Sequence, residues 1–478
     1  MAIKSTTALG FLFEVVGKLI VWLVKQLSRV LWRLIVLAVC HPRTTVALTA
    51  MSTLVLYFGW VAVTTAVGAL LVLSSTWKAT HAPSFEATVQ TWVRTWWRRW
   101  WVYRRQWVET FSKCQLTITF GDQETTPKLV KVVTDAYWDR VTIKAEIGQQ
   151  IRTFTDAAEE LRNAFGGQRA QIQQLGPRLF GINIMRRDPL LELVPATAIP
   201  DSVEAIDWRR VPVGRDEFGE PFTVSILGVH NSIAGSSNSG KAGLQWNILR
   251  YLAPAIVAGW VRLVGIDPKA KELRQALPLF APDDYVAANQ DAVLALLTRL
   301  VAEMDEANER EGAAGERDFL PGPNRPITLI VIDELAPLLR YWPRSIRSKI
   351  EDLLGLLLTQ GRAVGFHVLG SIQEPTKDTF TIRDLFTGRR MALRLPTESY
   401  TEAALIEKAV DFGAQCHQIS DQQPGVLFSL EDGAKTTVRA RLGYVQDHHI
   451  AELVEYVTTR RNVVPLTRRP ADPQTKAA

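Results

Sequence analysis

Eight consecutive residues in this chain have the types and the spacing that bind a nucleoside triphosphate. They follow the phosphate-loop pattern G-x-x-x-x-G-K-[ST] at every fixed position but the last. Glycines let the backbone fold back so that successive N–H groups point at the phosphates, and the lysine adds a positive charge there. The eight residues are Gly235, Ser236, Ser237, Asn238, Ser239, Gly240, Lys241 and Ala242. The pattern therefore predicts a phosphate-binding loop.

The residues on both sides of this loop predict the strand and the helix that the motif needs. Thr223–Leu227 and Asn231–Ala234 carry strand-forming residues into the loop, and Gly243–Leu252 places Leu and Ile at helical spacing after it. A helix that begins directly after the loop aims its positive end at the same phosphates. The last position departs from the pattern, because Ala242 stands where a Ser or Thr hydroxyl normally contacts Mg²⁺. Nucleotide binding and turnover are therefore separate expectations.

An acidic pair ends a second apolar segment. Ile327–Ile332 is followed by Asp333 and Glu334. In P-loop ATPases the first acid of such a pair holds Mg²⁺, and the second polarises the attacking water. A buried strand that ends in an exposed acidic turn is the structural alternative. The phosphate loop upstream favours the catalytic interpretation.

Two more predicted strands end in polar residues, and helices alternate with the strands. Val261–Ile266 precedes an Asp-Pro-Lys sequence, and His367–Ile372 precedes Gln373. Helical patterns at 292–308 and 345–358 predict an α/β fold with a parallel, helix-covered sheet. Ligands in such sheets bind at the carboxyl ends of the strands, where all four polar clusters lie. A single active site is therefore expected at that edge.

With these motifs in this order, the chain resembles the FtsK/SpoIIIE family of DNA-pumping ATPases, and within it the conjugative-transfer type of filamentous Gram-positive bacteria. The resemblance spans roughly 116–459. It is carried by Ala234–Lys241, Ile266–Lys269 with Glu272 and Leu273, Val331–Glu334, Gly361–His367, Gln373 with Pro375, Arg390–Arg394 and Gly425–Phe428. It implies a RecA-like P-loop motor that uses ATP and Mg²⁺, forms a homo-hexameric ring and moves double-stranded DNA.

The resemblance also implies roles for individual residues. Lys241 would bind the β- and γ-phosphates. Asp333 would orient Mg²⁺, and Glu334 would be the general base for water. Gln373 would sense the γ-phosphate.

Two arginines are candidates for a residue that reaches into the site of a neighbouring subunit. They are Arg362 and Arg390, and a surface or interface ion pair is the structural alternative for each. The family often has Gln-Arg-Pro where this chain has Gln373, Glu374 and Pro375. This charge reversal argues against a phosphate-contacting role for Glu374.

The positive charge of the chain is concentrated in its N-terminal part. The whole chain carries 55 Lys and Arg and 49 Asp and Glu, a net charge of +6. The residues before Gln115 contribute +10, so the remainder is about −4. Net charge is therefore no evidence that the motor binds DNA, and any DNA track would have to be a local basic lining.

The N-terminal part predicts a membrane anchor. Val46–Ser74 has no charged residue in 29 positions, which is enough to cross a bilayer with some tilt. A first span over about 12–40 is also expected, although Lys25, Arg29 and Arg33 line one of its faces. A helix lying in the membrane plane is the alternative for this segment. A hairpin of two spans keeps the N-terminus and the motor in the cytoplasm, as the positive-inside tendency favours.

Tryptophan and arginine are interleaved through 92–107. Such a stretch could bind single-stranded nucleic acid. Its position soon after a span favours the membrane surface, where Trp settles among the headgroups and Arg meets anionic lipid.

Composition and patterning divide the chain into four predicted regions. These are a transmembrane helical module with the Trp/Arg helix at 1–115, a small α/β domain at 116–205, the RecA-like P-loop motor with its parallel sheet at 206–460, and a disordered tail at 461–478. In the small domain we expect strands at 116–120, 140–145 and 180–185 and helices at 126–138 and 155–165.

These features predict a membrane-anchored, hexameric, ATP-driven translocase of double-stranded DNA, multi-pass in the bacterial cell membrane with its motor in the cytoplasm. By analogy with the family, the expected setting is transfer of a conjugative plasmid or an integrative element. A type VII-like protein secretion ATPase is one alternative, because it shares the motor. A hydrolysis-deficient, nucleotide-binding membrane scaffold is another, because Ala242 lacks the hydroxyl.

Overall fold

The computed structural model describes residues 25, 42–120, 123–314, 319–431 and 437–461. The α-helices are α1 (Pro42–Thr80), α2 (Ala82–Phe85), α3 (Thr91–Trp97), α4 (Arg105–Lys113), α5 (Ile151–Asp156), α6 (Ala158–Ala164), α7 (Ala242–Tyr251), α8 (Ala253–Val257), α9 (Gln290–Ala314), α10 (Arg344–Gln360), α11 (Glu398–Ala404) and α12 (Asp447–Arg461). Glu86–Gln90, Arg98–Arg104 and Pro337–Tyr341 are π-helical, and short 3₁₀ turns include Leu273–Leu279, Gly361–Val364 and Arg383–Leu385.

The strands are β1 (Ile118–Phe120), β2 (Gln123–Thr125), β3 (Lys128–Thr134), β4 (Trp138–Lys144), β5 (Arg169–Gly176), β6 (Leu179–Met185), β7 (Val194–Pro195), β8 (Val211–Asp216), β9 (Pro221–Val224), β10 (Asn231–Ala234), β11 (Val261–Ile266), β12 (Tyr285–Val286), β13 (Ile327–Ile332), β14 (Phe366–Ile372), β15 (Arg389–Ala392), β16 (Val426–Glu431) and β17 (Val438–Tyr444). The chain divides into two units. The first comprises residues 1–105 with 133–135, and the second comprises residues 106–132 with 136–478.

Helix α1 is the long apolar helix of the first unit. Its backbone departs from helical geometry at Gly59, where φ is 77° and ψ is 154°. Within the described residues, Val55–Thr80 is the one helical segment that is long and apolar enough to cross a membrane. It overlaps the predicted span at 46–74. The predicted first span at 12–40 falls outside the described residues, apart from Lys25, so a multi-pass anchor stays a prediction.

The Trp/Arg segment is helical in the part that belongs to the first unit. Helix α3 continues through the π-helical turn Arg98–Arg104. Trp92, Trp97 and Trp101 expose half or more of their surface. Exposed indole rings next to cations suit a helix that lies at a membrane surface.

The small domain contains a four-stranded sheet in the order β3-β4-β6-β5, in which β4, β6 and β5 are antiparallel. Phe154 of α5 packs against Phe180 of β6, with ring centroids 5.2 Å apart. The predicted helix at 126–138 is wrong, because this stretch forms β3. Its valines and threonine are β-branched and favour a strand. The predicted helix at 155–165 is interrupted at Ala157, which separates α5 from α6.

The large sheet of the second unit has the order β12-β11-β13-β14-β10-β15-β16-β17-β8-β9, with β7 beside β17. The strands from β12 to β15 run parallel. Each later neighbour along this order, from β15 to β9, pairs antiparallel. The α/β fold with a parallel sheet is therefore confirmed for the strands that carry the site motifs, and an antiparallel extension adds to it.

Helices cover both faces of the parallel strands. Along β13, Ile330 and Ile332 belong to the hydrophobic core that includes α9 and α10. Leu329 and Val331, which point the other way, belong to the core that includes α7, α8 and α12. A strand buried on both faces has a continuous apolar sequence, which explains why this strand could be predicted.

The small domain is joined to the large sheet through a buried carboxylate. Glu217, in the turn between β8 and β9, is 1% exposed. Its two oxygens accept hydrogen bonds from Arg169 at 2.8 Å and from Gln171 at 2.9 Å, both on β5. Arg439 of β17 pairs with Asp188 at 2.7 Å nearby. These contacts cross from one sheet to the other within the second unit.

Candidate functional site

The strand order brings the predicted site residues to one edge of the sheet. Strand β10 leads into the phosphate loop and lies between β14 and β15. Strand β13, which ends before Asp333, is the next neighbour of β14, and β11 lies beyond it. Gln373, at the end of β14, therefore lies between Lys241 and Glu334. These residues meet because parallel strands present their carboxyl ends on the same side.

The phosphate loop adopts a backbone shape that only certain residues permit. Gly240 has φ of +95°, and a Cβ there would lie 2.8 Å from the backbone nitrogen of Gly425. Asn238 also has a positive φ, of 60°. The N–H of Gly425 donates to the carbonyl of Ser239 at 2.8 Å, so the loop is held against the residues that lead into β16. The second glycine of the motif is therefore required by both its φ and its neighbour.

Lys241 is held inside this loop. Its Nζ donates to the carbonyl oxygen of Gly235 at 2.7 Å and, at 3.4 Å, to that of Ser236. Burial lowers the pKa of Lys241 to about 8, and the nearby negative charge of Glu334 opposes that shift. The buried Oγ of Ser239 has no hydrogen-bond partner among the described residues. A lysine held on carbonyls beside an unpartnered hydroxyl fits a loop built to bind phosphate.

Ala242 begins helix α7 directly after Lys241 and is half-buried. Its position is the first turn of the helix, where a Ser or Thr side chain would lie beside a bound phosphate. A methyl group offers no ligand to a metal ion.

Glu334 is buried and fixed by backbone donors. Its Oε1 accepts hydrogen bonds from the N–H of Gln373 at 3.1 Å and from that of Ala336 at 3.3 Å. Its Oε2 lies 3.4 Å from Nζ of Lys269. Two donors and a cation fix the orientation of a carboxylate that is only 2% exposed. Such an orientation is what a general base needs.

Asp333 lies among other carboxylates. Burial, followed by the negative charges of Asp267, Glu272 and Glu334, raises its pKa to about 7, against the opposing charge of Lys269. Asp267 is buried, and its Oδ1 has no partner among the described residues. A divalent cation would relieve this repulsion, so the acids fit Mg²⁺.

The acids do not form a complete protein-only metal cage. Within the described ranges, no group of three His, Cys, Asp or Glu side chains is placed to hold a metal ion. The remaining positions around a Mg²⁺ ion would be filled by water and phosphate oxygens, as is usual for this ion.

Arg362 and Arg390 do not join this cluster. Arg362 is exposed and lies just before β14, at the opposite edge of the sheet, where its charge acts on the buried His230. Arg390 is 5% exposed in β15 and pairs with Asp384 at 3.1 Å. Neither side chain is placed to serve the nucleotide site of its own chain.

Besides Asp267 and Lys269, two residues at this edge were not among the predicted catalytic or nucleotide-binding residues. Nη2 of Arg394, which follows β15, donates to the carbonyl of Ser237 at 3.3 Å. Glu272 accepts a hydrogen bond from Trp246 of α7 at 2.7 Å and adds to the charge around Asp333. Both lie in segments that carry the family resemblance, but no local pattern gives either one a role.

The chain has sequence similarity to known proteins. No protein-family model matches the chain. Over 376 residues the chain is 24% identical to the DNA translocase SftA of Bacillus subtilis, which covers 74% of the chain and 37% of SftA. It is 24% identical over 343 residues to the DNA translocase FtsK of Halalkalibacterium halodurans, covering 67% of the chain and 41% of that protein.

The chain is similar in sequence to FtsK-type DNA translocases. It is also 26% identical over 304 residues to FtsK of Corynebacterium efficiens, covering 59% of the chain and 31% of that protein. The chain thus spans about a third to two-fifths of the length of these FtsK-type relatives.

The chain also shows some similarity to solved structures. The conjugation coupling protein TcpA of pCW3, solved as a monomer with ATPγS, has a TM-score of 0.47 and 19% identity, and the match covers 74% of the chain and 99% of TcpA. The cytoplasmic domain of the type VII secretion ATPase EccC of Thermomonospora curvata has a TM-score of 0.41 and 20% identity, covering 52% of the chain and 31% of EccC.

Proposed function

We propose that this chain is a membrane-anchored ATPase that moves double-stranded DNA and works as a homo-hexameric ring. The observation that carries the proposal is the meeting of Lys241, Glu334 and Gln373 at the ends of neighbouring strands. It is supported by the sequence relationship to DNA translocases. The hexamer and the setting of conjugative or integrative-element transfer rest on the family resemblance alone.

The residues present fit ATP with Mg²⁺. The N–H groups of the phosphate loop and the ammonium of Lys241 would hold the phosphates, and Asp333 would hold Mg²⁺. When bound, the nucleotide supplies a phosphoanhydride bond whose hydrolysis releases the free energy for movement. Glu334 would accept a proton from the attacking water, and its two backbone donors keep the carboxylate aimed at one place.

Gln373 would sense the γ-phosphate within its own subunit, and Arg362 would contact the nucleotide of a neighbouring subunit. Gln373 lies between the lysine and the base, where its side-chain amide can contact a γ-phosphate. Arg362 is exposed at the opposite sheet edge, and it makes no ion pair within the described residues. In a ring of like subunits packed head to tail, that edge can face the next subunit's nucleotide. Arg390 is the weaker candidate, because it is buried and already paired.

The anchor would consist of α1 and the Trp/Arg helix. Val55–Thr80 would span the bacterial cell membrane, and the exposed tryptophans would lie at its surface. The motor would then lie on the cytoplasmic side, where ATP is available. A second span at 12–40 remains part of this proposal.

The test is ATP hydrolysis by the purified full chain in detergent, with and without long linear duplex DNA. We expect DNA to raise the rate by about tenfold, as electrostatic binding couples to turnover in such motors. A hydrolysis rate that is unchanged by DNA but raised by a signal peptide would favour a protein secretion ATPase. Nucleotide binding without any hydrolysis would indicate a scaffold.

A further inference from the structure

A basic surface segment follows directly behind the acid pair. The π-helical turn Pro337–Tyr341 begins three residues after Glu334, and helix α10 begins at Arg344. Residues 340–349 contain four Lys or Arg and no Asp or Glu, although the chain from Gln115 onward is slightly acidic. We call Arg340, Tyr341, Arg344, Arg347 and Lys349 the basic turn.

Among the described residues, no salt bridge joins a charge of the basic turn to an acid. Arg340, Arg344 and Lys349 are exposed, and none of them makes an ion pair in the part of the chain that the structure describes. Arg347 Nη1 donates to the carbonyl of Arg340 at 2.9 Å, which ties the turn to the first turn of α10. The ring of Tyr341 is also exposed, at 61%. Unpaired guanidinium groups beside an exposed aromatic ring suit a phosphate backbone.

The basic turn is also connected to the catalytic carboxylate. The hydroxyl of Tyr341 donates to Oε2 of Glu374 at 2.8 Å. Glu374 follows Gln373, whose N–H donates to Glu334 at 3.1 Å. The N–H of Ala336, just before the π-helical turn, also donates to Oε1 of Glu334, the oxygen that Gln373 contacts, at 3.3 Å. Two links therefore join the turn to the segment after β14. One runs through the buried carboxylate of Glu334, and the other is the Tyr341–Glu374 hydrogen bond at the surface.

We propose that the basic turn is where the motor contacts the phosphate backbone of duplex DNA, and that the Tyr341–Glu374 hydrogen bond relays this contact to Glu334. This rests on the proposed translocase function. It also accounts for the acid at position 374. A carboxylate repels phosphate, so Glu374 serves here as the acceptor that holds Tyr341. Tyr341 and Glu374 are positioning residues, because in this proposal they act on the site only through Gln373 and Glu334.

The first test measures binding of a labelled random-sequence duplex by fluorescence anisotropy over a range of salt concentrations. We expect the double variant Arg340→Ala, Arg344→Ala of the full chain to bind about tenfold more weakly. Its plot of log affinity against log salt concentration should become shallower by about 2, one phosphate contact for each arginine. The control is Arg209→Ala, Arg210→Ala, which removes the same charge from another exposed pair and should leave both values unchanged.

The second test separates DNA binding from the coupling of DNA binding to ATP hydrolysis. Tyr341→Phe removes only the hydroxyl, so DNA affinity should stay within about twofold while the increase in hydrolysis caused by DNA falls at least about fivefold. Glu374→Ala should behave in the same way. Glu374→Gln keeps an acceptor for the hydroxyl and should retain most of the stimulation.

The outcomes distinguish this inference from the function on which it rests. A wild-type chain that neither binds DNA nor responds to it contradicts the translocase function itself. A wild-type chain that responds, with unchanged affinity and salt slope in the Arg340/Arg344 variant, contradicts the basic turn alone. Equal losses in the control pair would also contradict it. If the double variant fails to bind a fluorescent ATP analogue, the single variants Arg340→Gln and Arg344→Gln, each expected to give about half of the slope change, replace it.

Discussion

Glu334 is the residue whose environment is most specific to catalysis. It is almost completely buried, yet both of its oxygens have donors or a cation beside them. The two backbone donors and Lys269 hold both oxygens in place. The arrangement orients this side chain beside the phosphate loop.

We expect Glu334→Gln to slow ATP hydrolysis at saturating nucleotide by about 100-fold or more, because general base catalysis is lost. Nucleotide affinity should change only a few-fold, since glutamine can still accept the hydrogen bond from Gln373. Steady-state hydrolysis and equilibrium binding of a fluorescent ATP analogue measure the two effects. Glu407→Gln, at an exposed carboxylate, is the matched control. A loss of less than about threefold would place the base elsewhere.

Ala242→Ser tests the missing hydroxyl at the start of α7. One added Mg²⁺ ligand contributes about 1 kcal/mol, so the Mg²⁺ concentration for half-maximal hydrolysis should fall about fivefold. We expect the maximal rate to change less than about threefold, because Asp333 and Glu334 are already in place. Mg²⁺ titrations of the hydrolysis rate provide the measurement. If the serine instead raised the maximal rate by about 100-fold or more, the natural site would be hydrolysis-deficient.

Asp333→Asn should stabilise the nucleotide-free protein at alkaline pH. The pKa of Asp333 is raised to about 7, so the folded state favours its protonated form. Asp333 therefore lowers the free energy of unfolding increasingly as pH rises from about 4 to 7, and this destabilisation persists at higher pH. We expect the variant to be more stable by up to about 4 kcal/mol at about pH 8.5 and by little near pH 4. Urea unfolding in EDTA measures this, and a pH-independent difference would contradict it.

The sequence predicts the loop, the acids and Gln373 because each is a local pattern at the end of an apolar strand. The surroundings of these residues depend on distant parts of the chain. Tyr341 and Glu374 are 33 positions apart, and no spacing rule joins them. The pairing of Arg390 with Asp384 likewise depends on how the turn before β15 folds. Sequence motifs therefore locate the catalytic residues. The partners of charged side chains can be identified only once the fold is known.

At the scale of elements, the strand order decides which residues meet. Strand β14 lies between the strand of the phosphate loop and the strand of the acid pair. A nucleotide-dependent movement at Gln373 can therefore reach both neighbours through backbone hydrogen bonds. Helices on both faces restrict that movement, since the core residues on each side are buried.

Elements of the motor could be predicted better than those of the small domain. Buried parallel strands are apolar throughout, and that signal is strong. Strand β5 instead contains three glutamines and an arginine among its eight residues and is half-exposed at an edge, so it lacks an apolar pattern. Strand β3 contains lysines among its valines, which mimics an amphipathic helix. Neither strand can be predicted from its own residues, because its burial comes from other elements.

Glu217 should be important for joining the small domain to the motor. Glu217→Ala leaves Arg169 without its partner and should lower the free energy of unfolding by roughly 3 kcal/mol. Burial raises the pKa of Glu217, so a neutral acceptor is tolerated and Glu217→Gln should cost much less. Urea unfolding gives the free energies, and hydrogen exchange should show lost protection in β5 and β17. The exposed Glu220→Ala is the control, and equal costs for Glu217→Ala and Glu217→Gln would contradict the prediction.

At the scale of the whole molecule, the exposed position of Arg362 predicts a shared site. Arg362→Ala and Lys241→Ala should each lose most hydrolysis when assayed alone. Mixed in equal amounts, they should regain roughly a quarter of the wild-type rate, because some neighbouring pairs combine an intact loop with an intact arginine. Mixing two preparations that both carry Lys241→Ala is the control. No recovery in the mixture would mean that Arg362 does not act between subunits.

The hydrogen bond from Gly425 to Ser239 has a consequence for the speed of nucleotide exchange. The phosphate loop is fastened to the antiparallel part of the sheet, so it cannot loosen by itself without breaking the edge of a buried core. Local opening of the loop would then have to break this hydrogen bond and the close packing of Gly240 against Gly425. A rigid cradle binds and releases its ligand without an ordering step, so the lifetime of bound nucleotide is set by movements outside the loop. In the proposed hexameric ring, opening and closing of the gap between neighbouring subunits would supply such movements.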